Sequence, residues 1–548
     1  MLALASVFLL VHPCAALSTT SSPTSISDAV PTSSAPELKP RHVLPLHQNW
    51  WPVALVNTLN ENAPNAEKLL NKDVVLWHDG DDWRCMEDMC AHRYAPLSEG
   101  RIVSAEQSSS NDNRRCLQCS YHGWEFDNQG SCKRIPQAAD STKARGSARV
   151  VSYPVRVAAG ICWVWADEES SPFAETVPLP ISPMLKQWEQ QYPQSAYQRD
   201  LPYGYELLTE NVIDMSHLPF SHHGILSNRE AGVPLPFKML SMAEKEEVWL
   251  KESSSNYANA CENEKILPMY QVELTKGQAQ FSDPIMVPDL FGTNKGDEES
   301  TSFLAFYPPA HVRYHRTPMS GLSSNTELFV CPQSAGRCRV IIFNPFEGGM
   351  VRQVEEIEKN TRAKFLSKIG NYLLRKTILS KVMGLQNHLL TSDVFDGDNV
   401  FLMQQGARMA KNGLRHNDYL TPSSADTLSK IFRKWLDTAA DATRRSNCKT
   451  AEIMVESAIG FSSDGISPYT TMYADLSREV LLDRYHSHTK NCPVCSKALA
   501  KLEWRKKVLE QGRPMLLGMT GASFIATILS SLIFDSTAVS TVPTRAIV

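Results

Sequence analysis

This chain has little of three things, and each shortage excludes a class of function. It carries almost no net charge: 55 Lys and Arg against 59 Asp and Glu leave -4 over 548 residues, with no long basic block. The electrostatic footprint of a nucleic-acid-binding protein is therefore missing. Cysteine is sparse for a disulfide framework, 13 residues over this length. Those present gather near histidines, which points to metal or redox chemistry in a reducing compartment. Internal repeats are absent too. What is there is an ordinary globular balance, 42% hydrophobic and 21% charged, long enough for two or three domains with real cores.

Charge also runs out at the two ends. Residues 2–11 are apolar, with no Lys or Arg before them, and small residues follow at Cys14, Ala15 and Ala16. Residues 18–34 are rich in Ser, Thr and Pro, with one acid (Asp28) and no base. A signal-like run followed by a Ser/Thr-rich stretch predicts a bipartite plastid-targeting leader over 1–43. A secreted protein with a flexible stalk is the alternative. Residues 515–534 contain no charged side chain, and about 20 apolar residues suffice to cross a bilayer. A transmembrane anchor is expected over 513–535, with Lys501, Arg505, Lys506, Lys507 and Arg513 on its approach. A buried core helix is the competing reading.

Between the ends, residues 44–171 read as short strands, such as Val74 to Trp77, Trp83 to Met86 and Ile161 to Trp165, broken by turn residues at Asp79 to Asp82 and Asp127 to Gly130. Residues 172–183 look like a linker. Residues 184–446 mix strands and helices, with helical composition over 355–390 and again over 425–442. A carboxy-terminal region with a Cys-x-x-Cys motif fills 447–512.

The most informative run is Cys90-Ala91-His92, answered by Cys119-Ser120-Tyr121-His122-Gly123-Trp124. In a Rieske [2Fe-2S] centre two thiolates hold one iron and two neutral imidazoles the other, so two loops each giving one Cys and one His complete it. A Cys2His2 zinc site uses the same ligand types, and Cys116 offers a Cys-x-x-Cys partner to Cys119. The first half is Cys-x-His, which favours the cluster. The 26 residues between His92 and Cys119 include a polar insertion near Ser108 to Asn113, which a surface loop absorbs at small entropic cost.

A second constellation follows at Asp214-Met215-Ser216-His217-Leu218-Pro219-Phe220-Ser221-His222-His223. Two histidines and a carboxylate on one face of a ferrous ion leave positions open for oxygen and substrate. Residues five apart do not share a face of a regular helix, so Pro219 is expected to distort it. His217 and His222 are the preferred pair, with His223 the competitor. Asp393, Asp396 and Asp398, after a long helix, are the candidate acids. Cys492 and Cys495, near His488, could form a reversible disulfide or hold zinc.

These residues resemble the plastid branch of the Rieske non-heme oxygenases, in particular the pheophorbide a oxygenase-like members, with chlorophyllide a oxygenase and a translocon-associated Rieske protein as relatives. The resemblance rests on CAHRYAPLSEGRI, LQCSYHGWEFDNQGSCKRIPQA, LPYGYELLTENVIDMSHLPFSHHG and DRYHSHTKNCPVCSKAL, and spans most of residues 44–500. It implies an α+β fold: an all-β Rieske domain, then a helix-grip catalytic domain of antiparallel sheet plus helices, then membrane attachment. It further implies that Asp214 is the catalytic acid bridging one subunit's cluster to the next subunit's iron, in a homotrimer. Asp398, with Gln404 six residues later, is similar to the family's downstream ligand region. Cys492 and Cys495 are similar to a thioredoxin target.

The expectation is an enzyme in a plastid envelope or thylakoid membrane. It would hold a [2Fe-2S] cluster and mononuclear Fe(II), take electrons from ferredoxin or an equivalent reductase, and use O2 to oxygenate a chlorophyll-derived tetrapyrrole. The rival is a non-catalytic Rieske redox sensor or import-associated component of the envelope.

Overall fold

Short strands rich in Trp, Val and Ile dominate the first third, where the alternation of turn residues demands them. The computed structural model describes residues 43–104, 115–138, 148–182, 196–226, 229–232, 237–245, 269–274, 301–317, 324–343, 380–460 and 477–512, with a few single positions besides. The leader, most of the 355–390 stretch and almost all of the 515–534 segment lie outside these residues. Among the described residues no helix is long and apolar enough to cross a membrane.

The first module holds three antiparallel sheets. Trp50–Leu55 pairs with Ile161–Trp165, and every residue of both strands is buried. The strands Asn65–Leu69, Lys72–His78, Trp83–Glu87 and Ser152–Tyr153 form a second sheet, and Arg101–Ser104, Arg115–Gln118, Glu125–Phe126 and Cys132–Arg134 a third. In the third sheet Ser104 still pairs with Arg115, so the polar insertion joins two strands that stay in register up to their ends.

A seven-stranded antiparallel sheet follows, in the order Tyr197–Leu201, Arg337–Phe343, Ser324–Ser334, His311–Thr317, Thr301–Tyr307, Tyr270–Leu274, Phe237–Met239. The helices Tyr205–Ile213, Ser380–Asn412, Thr427–Arg444 and Ala451–Ile459 complete it. The Thr427–Arg444 helix starts behind a Ser423/Asp426 capping box, close to its expected position, and seats Phe432 and Trp435 edge-on against Phe306.

One core cluster runs through both modules: Trp50, Trp163 and Trp165 from the first pack with Phe329, Ile341 and Phe343 from the second. The segment 172–182, from the expected linker, belongs to that core as well. Ala174, Leu179 and Ile181 are buried in it, and the Trp50 indole donates to the carbonyls of Ala174 (3.2 Å) and Val177 (3.0 Å). It is a packed connection and not a free tether.

Arg339 crosses the same junction. It donates to Glu67 (2.6 Å) and the Val53 carbonyl (2.9 Å) on one side, and to both oxygens of Asp200 (2.6 and 3.0 Å) on the other.

Candidate metal centres

The two cluster loops fold alike. Each cysteine N–H donates to the carbonyl five residues on, Cys90 to Ala95 (2.8 Å) and Cys119 to Trp124 (2.9 Å). In each, the residue four past the cysteine, Tyr94 or Gly123, donates back to the cysteine carbonyl and takes a left-handed backbone (φ 61° and 76°). This tight turn faces Cys90 and Cys119 inward, where they join Leu97, Leu117 and Phe126 in the core. His92 stacks flat on Trp124 (4.6 Å between centroids) and lies 4.5 Å from His122.

The donor set fits a Rieske cluster. The Nδ1 of His92 is buried with no hydrogen-bond partner. Desolvation, reinforced by His122 and Arg93, holds this imidazole below its ordinary pKa and so in the neutral, ligating form. Burial pushes the Cys90 thiol up to about 11, and a cation replacing the proton relieves that. Among the described residues, these four donors do not close to within 4.8 Å of one another as single-ion groups elsewhere in the chain do. That separation suits a two-iron cluster better than one zinc. Cys116 is buried near Glu125, Asp127 and Cys132, and burial pushes its thiol up to about 11.

The second constellation forms where a helix is cut. Tyr205–Ile213 ends at Asp214, whose backbone turns extended (φ -79°, ψ 103°). Asp214 caps the next turn, Met215–His217, with Oδ1 accepting from the N–H (2.8 Å) and hydroxyl (2.5 Å) of Ser216. A further short helix, Leu218–Ser221, begins with Pro219 in its first turn and ends at His222. The break therefore lies at Asp214. Pro219 starts a new turn where its missing N–H costs nothing, instead of kinking a continuous helix.

This path brings His217 and His222 to 5.2 Å between ring centroids, facing Asp398. The Asp398 carboxylate lies 3.2 Å from His222 Nε2 and 4.0 Å from His217 Nε2, and one donor atom from each residue falls within 4.8 Å of the others. Asp398 is 4% exposed and His222 fully buried, with neither ring nitrogen in a hydrogen bond. His217 Nδ1 donates to the Asp214 carbonyl, which leaves Nε2 as the free acceptor. Burial lowers the His217 pKa against the pull of Asp398 and Asp214, so the imidazole is neutral near pH 7. Among the described residues no Lys or Arg pairs with this buried carboxylate beside its two imidazoles, and a divalent cation would supply the counter-charge. The residues fit mononuclear iron.

The rival residues are engaged elsewhere. His223 is exposed and accepts from the Arg229 N–H (3.2 Å). Asp396 pairs with Arg199 (2.8 Å) and Arg484 (2.6 Å), and Asp393 with Arg484 (2.6 Å). All three acids lie inside the Ser380–Asn412 helix, where a segment beyond the helix was expected. Gln404, on that helix, is exposed and accepts from Arg408. Sequence reasoning missed Gly397. A Cβ there would sit 3.3 Å from the Ser221 carbonyl and 3.4 Å from His222 Nδ1, so a mid-helix glycine lets His222 approach.

Cys492 and Cys495 are unbridged and buried. They meet His488 and also His388, a residue nothing in the local sequence singles out. The hydrogen bond from Cys495, helped by His388, holds the Cys492 thiol far below its usual range and raises Cys495.

The Rieske [2Fe-2S] domain family matches residues 49–154. Pheophorbide a oxygenase of Oryza sativa subsp. japonica is 29% identical over 84% of this chain and 74% of its own length. Flavonoid 8-hydroxylase 2 of Ocimum basilicum is 28% identical over 83% and 74%, and Protein TIC 55 of Pisum sativum 24% over 84% and 72%. A Rieske [2Fe-2S] domain is thus in place, and over most of its length the chain is similar to relatives named as chloroplastic, pheophorbide a oxygenase and flavonoid 8-hydroxylase 2 among them.

Proposed function

We propose that this oxygenase acts on a chlorophyll-derived tetrapyrrole, of the pheophorbide a or chlorophyllide a kind, in a plastid. The observation that carries the enzymatic reading is the His217/His222/Asp398 group: two imidazoles and one carboxylate within reach of a single ion, with His222 and Asp398 buried and His217 partly so. A non-catalytic carrier needs no such group. Relatives named pheophorbide a oxygenase and chlorophyllide a oxygenase support the substrate class.

When bound, the cluster supplies one-electron transfer and the mononuclear iron supplies oxygen activation. Cys90, His92, Cys119 and His122 would hold the first; His217, His222 and Asp398 the second. Asp214 orients His217 through its carbonyl, and its carboxylate Oδ2 has no hydrogen bond among the described residues. That free oxygen suits a bridge to a neighbouring subunit's cluster in a homotrimer. Arg93, Tyr94 and Tyr121 are exposed at the cluster loops and form the face offered to ferredoxin or an equivalent reductase. The proposed divisions are 1–43 leader, 44–171 Rieske domain, 184–446 catalytic domain, 447–512 Cys-x-x-Cys region and 513–535 membrane anchor, with thioredoxin a candidate partner of the Cys-x-x-Cys pair.

A second reading, a redox component of protein import, draws on a relative of Arabidopsis thaliana named a protochlorophyllide-dependent translocon component, 27% identical. The test supplies pheophorbide a, ferredoxin, its reductase and isotopically labelled O2 to the iron-loaded protein, with product followed by mass spectrometry. Labelled product that disappears in His217→Ala is expected. No product from pheophorbide a or chlorophyllide a, with a reducible cluster and loaded iron, would favour the redox component.

A further inference from the structure

We infer that His388, His488, Cys492 and Cys495 bind one zinc ion, which fastens the carboxy-terminal segment to the helix that carries Asp398. Three separate elements deliver the four side chains. His388 comes from the Ser380–Asn412 helix, His488 from a π-helical turn at Tyr485–Thr489, and the cysteines from the start of the helix that runs from residue 493. All are buried, none more than 7% exposed, and one donor atom from each lies within 4.8 Å of the other three.

The spacing is that of a single tetrahedral ion. Zn–S near 2.3 Å and Zn–N near 2.0–2.1 Å place sulfur and nitrogen about 3.6 Å apart on a tetrahedral edge. Here Cys495 Sγ lies 3.2 Å from His488 Nε2, and His388 Nδ1 lies 3.3 Å from Cys492 Sγ and 3.5 Å from Cys495 Sγ. Donors this close leave no room for two irons and their sulfides. His488 is also set for ligation by the bond its other nitrogen makes: Nδ1 donates to the Gln198 carbonyl at 2.6 Å, which turns the Nε2 lone pair toward the thiols. Tyr197 stacks on that ring at 4.2 Å and fixes its plane.

Two thiolates and two imidazoles, with no carboxylate among the donors, make a closed structural set of the kind zinc prefers. A Cys492–Cys495 disulfide would use two of the four groups and leave two buried imidazoles without purpose. The zinc would work alongside Arg484, which pairs with Asp393 and Asp396 on the same helix. His388 precedes Asp398 by ten residues, about 15 Å along the axis. The zinc would therefore hold the helix one end away from the iron group and contribute none of its ligands.

The test uses the full chain, purified anaerobically under reducing conditions and equilibrated with Zn2+. Elemental analysis should find about one zinc per chain, and zinc-edge X-ray absorption should show sulfur near 2.3 Å and nitrogen near 2.0 Å. His388→Ala should bind zinc at least tenfold more weakly under chelator competition while keeping the visible absorption of the cluster. Three results would overturn the proposal: wild-type protein without stoichiometric zinc, a zinc shell of oxygen only, or a Cys492–Cys495 disulfide that persists in the reduced preparation. The absorption spectrum of the wild type decides the matter even where the variant fails to fold.

Discussion

Replacing Arg339 by Met should be among the most damaging single changes outside the metal centres. The guanidinium is 6% exposed and holds Glu67 of the Rieske module and Asp200 of the seven-stranded sheet at 2.6 Å each. Methionine fills similar volume but leaves Glu67 and the Val53 carbonyl without the guanidinium and Asp200 with only the Gln333 amide (3.2 Å). Removing one partner of a buried ion pair costs about 3–5 kcal/mol, some 10²- to 10⁴-fold in the folding equilibrium. Lys68→Ala is the control. Its pair with Asp73 has both side chains more than half exposed, so the loss should stay under about 1 kcal/mol. The pH dependence adds a second reading. Burial already raises the Glu67 pKa against the pull of Arg339, and without Arg339 it rises further. A carboxyl with a folded pKa above its unfolded one destabilises as pH increases toward that folded value, so Arg339→Met should be less impaired at pH 5 than at pH 7.5. Adding Glu67→Gln should recover part of the loss. Urea unfolding followed by fluorescence measures all three. A cost below about 1 kcal/mol, or strict additivity with Glu67→Gln, would refute the reasoning.

The acids of the Ser380–Asn412 helix should separate by function. Asp398→Asn should lose iron and activity, whereas Asp396→Asn should keep iron but lower the melting temperature, because it strands the buried Arg199. Gly397→Val, whose branched side chain would push on His222, should cut iron affinity at least tenfold in chelator competition. Glu327, fully buried, accepts from Ser182 (2.7 Å) and His311 (2.6 Å). Burial alone would raise its pKa, yet bonds from His311 and the nearby Arg313 hold it below the usual carboxylate range. Its stabilisation should be complete above the unfolded value near pH 4.5 and be lost as pH falls through the folded value. Glu327→Gln should accordingly cost about 3 kcal/mol at pH 7, and the gap to wild type should close in thermal melts at acid pH.

Much of the site could be read from local spacing, because each cluster loop is a single turn and His217 and His222 are five residues apart. The choice among Asp393, Asp396 and Asp398 is not legible in the local sequence, which does not show that all three lie within one helix. Placed on a helix of 3.6 residues per turn, Asp393 and Asp396 share a side and Asp398 points about 200° from Asp396. That is the division between the Arg484 face and the histidine face. Proline is the louder signal in this stretch, yet the helix breaks at Asp214 and Pro219 opens the next one. Gly397 and His388 were invisible for a different reason. Their meaning lies in partners about 100 or more residues away, His222 and Cys492, and no periodicity marks such contacts. The packed connection at 172–182 was hidden likewise, since its prolines signal a linker while Leu179 and Ile181 serve a core built from both modules.

The most direct measurement is iron stoichiometry across ligand variants, read together with the visible spectrum of the cluster. Wild-type protein should hold about three irons per chain, two in the cluster and one mononuclear. His217→Ala and Asp398→Asn should each fall to about two with cluster absorption intact, and Cys90→Ser should lose the cluster and keep about one. Wild-type protein saturating at two irons, or a third iron that survives both His217→Ala and Asp398→Asn, would contradict the account.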